Sequence, residues 1–360
     1  MPSRFEVQRH GFENYRLVES ESRDLRPGEV RLKVDFFAFT ANNLTYAAAG
    51  DALGYWHFFP ALPEPDTSWG VIPVWGFADV AETRLAELPV GERLYGYFPP
   101  GDDLIIEPAK LNPGSLFDAS EHRSRLPPLY NRYQRVPAKT AANHQQEVAQ
   151  ALFGPLYNTS FCLFDQLKKN DWYGAEQVLI ISASSKTSMG LAYGLAAHDN
   201  APAVVGLTSA RNVDFVAGLG IYDQTVAYAD VASIAQKPTV IVDMAGNSAL
   251  AKALQTQMGD QLRYFIGVGL THWDQNDNGL ASKSDRMEMF FAPSYILERS
   301  GELSRGEFAT QAQAYVASAA AASLSWLELS TFAGLEAFAE VYPAVCAGTV
   351  LPQQGLICQL

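Results

Sequence analysis

The chain has 360 residues, 48% of them apolar and 18% charged, the balance of an ordinary folded protein. It has room for two cores, because a single core stops growing at roughly 250 residues. A formal net charge of −13 excludes nucleic acid and anionic membrane as expected partners, since both would repel it.

The N-terminal stretch M-P-S-R-F-E-V-Q-R-H is charged and has no apolar signal region. Residues 29 to 39, E-V-R-L-K-V-D-F-F-A-F, begin with period-2 alternation and predict a half-buried strand. Strand-like pieces follow from Val71 to Val80 and from Arg93 to Phe98, punctuated by Gly and Pro. That punctuation suits a compact, mostly antiparallel β unit. A loop-rich passage runs from Asn112 to Arg135, and Glu147 to Lys168 reads as helical.

The pattern then changes. Apolar bursts begin at Val178, Ala203, Thr239 and Arg263, and the first three precede plausible helices at Ser188 to His198, Asn212 to Leu219 and Ser248 to Met258. Strands alternating with helices predict an α/β fold, a parallel doubly wound sheet covered on both faces. The fourth burst ends in Gly267-Val268-Gly269, suited to close backbone approach to a ligand. The run from Phe308 to Leu327 is uncharged and as long as a membrane span. Ala, Ser and Gln dominate it, so a soluble, partly buried helix is expected. Residues 290 to 360 are helical in their middle and end in G-L-I-C-Q-L, a predicted strand. Cys162, Cys346 and Cys358 are too few and scattered for a disulfide framework or a C-x-x-C site, which fits reduced thiols in a cytoplasmic protein.

The first β-α turn carries the chemistry. L-I-I-S-A-S-S-K-T-S-M-G, from Leu179, has the strand-turn-helix order of a phosphate site without G-x-G-x-x-G or the full P-loop pattern. A helix N-terminus offers free N–H groups to phosphate. Here Ser184, Ser185, Lys186, Thr187 and Ser188 stand where glycines usually do, and could bind through side chains. The same hydroxyls also serve as helix caps. Gly190 keeps the helix slim enough to pack tightly on the sheet. At the end of the second strand, where an NAD site places an acid for the ribose, G-L-T-S-A-R-N has none. Thr208, Ser209 and Arg211 instead suit a 2′-phosphate, which points to NADPH over NADH.

Several stretches together resemble the medium-chain dehydrogenase/reductase superfamily, and more narrowly an uncharacterised family within it. They are L-T-Y-A-A-A-G-D at 44, P-V-W-G-F-A-D-V at 73, G-E-R-L-Y-G-Y at 91, S-A-S-S-K-T-S-M-G-L-A at 182, V-G-L-T-S-A-R-N at 205, L-G-I-Y-D at 219, V-I-V-D-M-A-G at 240 and F-F-A-P at 290. The resemblance implies a β-rich, GroES-like catalytic domain over 1–150 and a Rossmann domain over 151–289. It further implies a segment over 290–360 returning to the first domain, a nicotinamide cofactor lying across the cleft, and a homodimer. Gly246, in the D-x-x-G stretch, and Thr159 fall where similar reductases approach the cofactor.

Zinc-dependent relatives carry a Cys and a Gly-His-Glu where this chain reads F-T-A-N-N and P-V-W-G, and no Cys precedes Cys162. No metal is therefore expected. Without zinc, reduction of an activated C=C bond needs positioning, a hydrogen bond to the conjugated carbonyl and a proton source. Enoyl reductases that the chain resembles use a loop tyrosine, which makes Tyr46 and Tyr55 candidates, although neither has the family's spacing. Asn42 or Asn43 could bond a substrate carbonyl. Dense aromatics in the first domain suggest a large cleft for a bulky apolar or aromatic small molecule. The expectation is a zinc-free NADPH-dependent reductase of an enone, enoyl or quinone. Two alternatives stay open: a non-catalytic dehydrogenase-like protein that binds a ligand or dinucleotide, and an enzyme using another phosphorylated compound such as a coenzyme A thioester.

Overall fold

The computed structural model describes the chain except residues 1–2, 20–21, 63–66, 269–285 and 305. It divides into two units, residues 1–152 with 327–360, and residues 153–326. Residues 290–360 are thus shared out: up to Trp326 they belong to the second unit, and from Leu327 onward to the first.

The first unit is β-rich. Its nine-stranded sheet runs Glu328–Ala333, Gln354–Gln359, Val30–Phe39, Val74–Thr83, Arg93–Phe98, Arg132–Val136, Ser115–Asp118 and Pro108–Asn112, with Asp103–Ile106 also paired to Val30–Phe39. Only the pair Glu328–Ala333 with Gln354–Gln359 is parallel among these. Val30, Leu32 and Val34 are buried in alternation, and from Phe36 to Phe39 both faces are covered. Gly76 is required where it stands, because a Cβ there would lie 2.2 Å from the Phe36 carbonyl oxygen. Phe5, Phe37 and Phe39 meet Phe338 edge-on, seating the helix Gly334–Cys346 on the core. The passage expected to be mostly loop holds two strands, Ser115–Asp118 and Arg132–Val136. Fully buried Arg123 ties it together, donating to Asp118, Asn131, the Tyr133 hydroxyl and the Tyr130 carbonyl.

The second unit holds a six-stranded, wholly parallel sheet in the order Gln224–Ala227, Ala203–Thr208, Gln177–Ile181, Thr239–Asp243, Leu262–Val268, Met287–Phe290. By position along the chain that order is third, second, first, fourth, fifth, sixth, the Rossmann arrangement. Its sequence logic is visible in the first strand, where all five residues are buried. Val178 and Ile180 pack on one side with Met189, Leu191 and Phe308, while Leu179 and Ile181 pack on the other with Ala251, Leu254 and Met258. Each such side chain stabilises the fold by about 1.5–3 kcal/mol relative to exposure.

The strands Gln224–Ala227 and Met287–Phe290 had no sequence expectation. Both are short, flank the sheet and have little buried apolar content. The fold is a Rossmann domain with a GroES-like β domain. No helix among the described residues is long and apolar enough to cross a membrane.

Candidate functional site

The strand order reverses between Gln177–Ile181 and Thr239–Asp243, and open α/β sheets bind ligands beyond the carboxyl ends of strands at such a switch point. The turn S-A-S-S leaves the first of these strands. Ser182 has φ +67°, a left-handed backbone that glycine usually supplies. Ala183 N–H donates to the Leu207 carbonyl and Ser185 N–H to that of Ser182, both at 2.8 Å. The turn is therefore built into the sheet, with no dangling segment.

Its hydroxyls divide into two roles. Ser185 is the N-cap of the helix Lys186–Ala196, accepting from Ser188 N–H at 3.2 Å, and its hydroxyl pairs with that of Ser188 at 2.8 Å. These two do the capping work anticipated for part of the set. Ser184 is different. Its oxygen accepts from the Thr208 hydroxyl at 3.2 Å and from the Asn212 amide at 3.1 Å, which fills both lone pairs and leaves its O–H to donate. Asn212 was not singled out in the sequence, since nothing there shows that it reaches the first turn. Lys186 is the first residue of the helix and half-buried, and burial draws its ammonium down to about 8. Thr187 is half-buried, and its carbonyl accepts from the Ser160 hydroxyl at 2.7 Å.

Gly190 packs on the helix His144–Lys169, where the sheet was expected: a Cβ would lie 2.4 Å from the Tyr157 ring and 2.5 Å from the Ser160 hydroxyl.

Along the sheet edge, Thr208 is buried, Ser209 half-buried and Arg211 exposed. Asp243 ends the fourth strand, beside Ile181 in register. Its Oδ1 accepts from Ala245 N–H at 2.8 Å and from Gly246 N–H at 3.0 Å, across a turn in which Gly246 has φ +62°. Its Oδ2 is buried with no hydrogen-bond partner among the described residues, and the residue is 1% exposed. Burial pushes this carboxyl up, against the two backbone donors. Gly267 is buried near the carboxyl end of the fifth strand, and a Cβ there would come within 2.8 Å of the Met289 sulfur. Thr159 lies inside the helix His144–Lys169 with its hydroxyl on the Pro155 carbonyl at 3.4 Å. Gly269 lies outside the described residues.

The candidates of the first unit form a group of their own. Asn43 is buried, its Oδ1 accepting from Thr40 N–H at 2.8 Å and its Nδ2 donating to the Pro73 carbonyl at 2.9 Å. Its amide therefore caps the helix Ala41–Ala48. Tyr46 and Tyr55 pack against each other with ring centroids 4.7 Å apart. The Trp75 indole donates to the Tyr46 hydroxyl at 3.3 Å, and the Tyr55 and Tyr130 hydroxyls share a bond of 2.9 Å. Burial pushes both candidate phenols above their ordinary value. Of the aromatics expected to line a large cleft, Tyr55, Trp56, Phe58 and Tyr97 are buried in one core, with Phe58 against both Tyr55 and Tyr97, whereas Trp69 and Trp75 are half-buried. Among the described residues no three His, Cys, Asp or Glu side chains converge as a metal site.

The architecture and turn define a Rossmann-type protein with a GroES-like β domain. Residues 37–351 match the family model described as "Protein of unknown function (DUF2855)", and the chain belongs to that family. Among curated proteins nothing matches. Solved structures share the fold. CurA from Vibrio vulnificus is 13% identical with a TM-score of 0.63, covering 100% of this chain and 98% of that one. The quinone oxidoreductase of Pseudomonas syringae pv. Tomato DC3000 is 16% identical with a TM-score of 0.60, covering 99% and 100%. Escherichia coli quinone oxidoreductase, solved in complex with NADPH, is 12% identical with a TM-score of 0.61, covering 99% and 100%.

Proposed function

We propose that this chain is a zinc-independent, NADPH-dependent oxidoreductase of the medium-chain dehydrogenase/reductase superfamily, reducing an activated C=C bond in an enone, enoyl or quinone small molecule. The observation that carries the reading is the S-A-S-S-K-T turn, anchored at the switch point of a Rossmann sheet whose second strand ends without an acid. Two of the structures that share the fold, CurA and the E. coli quinone oxidoreductase, were solved with NADPH, which supports the choice of cofactor.

The residues present fit a dinucleotide. The Ser184 O–H and the helix N-terminus would hold the pyrophosphate, Lys186 would add a cationic donor, and Ser209 with Arg211 would take the 2′-phosphate. The bound cofactor supplies a hydride. Tyr46 and Tyr55, kept neutral by burial, are the hydroxyls proposed to hold the proton that completes the reduction. A homodimer in the cytoplasm is part of the same reading.

The test is consumption of NADPH by the purified protein across a panel of enones, enoyl thioesters and quinones. Turnover of one class, reduced at least tenfold in Tyr46→Phe or Tyr55→Phe, supports the assignment. One observation favours a second reading, a dinucleotide-binding protein without catalysis: Asn43 is committed to its helix cap and both tyrosines are buried. Tight NADPH binding with no turnover on the whole panel would select it.

A further inference from the structure

We infer that Asp243 binds a ribose hydroxyl of the dinucleotide through its Oδ2, on the ribose remote from the 2′-phosphate. The inference rests on the cofactor reading above and names a residue toward which neither the turn nor the second strand points.

Buried polar atoms in folded proteins almost always have partners, because an orphaned one keeps the full cost of leaving water. Asp243 keeps one oxygen on Ala245 and Gly246 and leaves the other buried without a partner among the described residues. Its position gives that orphan a meaning. Asp243 pairs in register with Ile181, and Met244 N–H donates to the Ile181 carbonyl at 3.3 Å, so the carboxyl sits beside the residue from which the S-A-S-S-K-T turn departs. A carboxylate accepts and cannot donate, so whatever completes it must be a donor. Phosphate is excluded by charge, and a sugar hydroxyl is suited.

The usual acid for a ribose, at the end of the second strand, is absent here. The fourth strand supplies one on the other side of the switch point. Like-charge repulsion keeps the 2′-phosphate away from it, which assigns the hydroxyl to the nicotinamide ribose.

The test is calorimetric titration of wild type and Asp243→Asn with NADPH and with adenosine 2′,5′-bisphosphate, which lacks that ribose. Asn preserves the oxygen that accepts from Ala245 and Gly246 and replaces the other by a donor, and circular dichroism checks that the variant is folded. The expected result is NADPH affinity at least about tenfold weaker in the variant, with the bisphosphate unchanged. Unchanged NADPH affinity overturns the inference while leaving the cofactor reading intact. Equal loss for both ligands overturns it too, because the residue then only shapes the turn. Failure of wild type to bind NADPH removes the cofactor reading, and this inference with it.

Discussion

Lys186 gives the sharpest quantitative prediction, because its position and its protonation point to the same event. It opens the helix at the candidate phosphate site, and burial draws its ammonium down to about 8. Only the charged form can make a charge-assisted bond to phosphate, so the apparent dissociation constant scales inversely with the protonated fraction. With a value near 8, that fraction is about 0.9 at pH 7 and about 0.09 at pH 9. NADPH should therefore bind about tenfold more weakly at pH 9 than at pH 7. The direction is fixed: affinity is fully present below the lysine's value and declines as pH rises through it. Lys186→Met should bind NADPH about 10–100-fold more weakly at pH 7, the worth of one charged hydrogen bond, and should lose the alkaline dependence. Isothermal titration over this range, with circular dichroism confirming the fold at each pH, reads both effects. A flat wild-type profile, or a Lys186→Met profile parallel to wild type, would refute the role given to the lysine.

Other perturbations test neighbouring parts of the account. Arg211→Ala should reduce the preference for NADPH over NADH by about tenfold, read as the ratio of the two dissociation constants, with NADH affinity little changed. Arg123→Ala should cost about 3–5 kcal/mol in urea unfolding, because it leaves the Asp118 carboxylate buried without its cation. Glu29 is held down to about 2, first by its bonds to the Arg23 guanidinium and then by Arg26 N–H. Its stabilisation is present above the ordinary glutamate value and is lost as pH falls toward 2, so melting temperature should drop over that window and drop less in Glu29→Gln. The gain is modest, since Arg23 is half-exposed and screened by solvent.

Much of the second unit was legible because its central strands are buried on both faces. V-L-I-I, A-V-V-G-L and T-V-I-V-D are runs that suit a sheet covered on both faces, their alternation with helical stretches marks it as parallel, and the helix Ser248–Met258 falls where expected. The flanking strand Gln224–Ala227 was not, since one residue of its four is buried and it carries no periodic signal. In the first unit, the aromatics announced themselves by density, but density does not distinguish a cleft from a core. Tyr97 and Phe58 turned out fully buried. The turn's chemistry was readable as a set of hydroxyls, whereas the division of labour between Ser185 as cap and Ser184 as donor depends on Thr208 and Asn212 arriving from the second strand and the turn beyond it. Asp243 was visible within V-I-V-D-M-A-G. That one of its oxygens is buried and orphaned is a product of tertiary packing, which no local pattern encodes.

The central claim is that the S-A-S-S-K-T turn and the acid-free second strand form a site for a 2′-phosphorylated dinucleotide. Parallel calorimetric titration of the purified protein with NADPH and NADH at pH 7 tests it most directly. The account predicts saturable NADPH binding at one site per chain, at least about tenfold tighter than NADH. Equal affinity for the two would contradict the role of Ser209 and Arg211, and binding of neither would contradict the site itself.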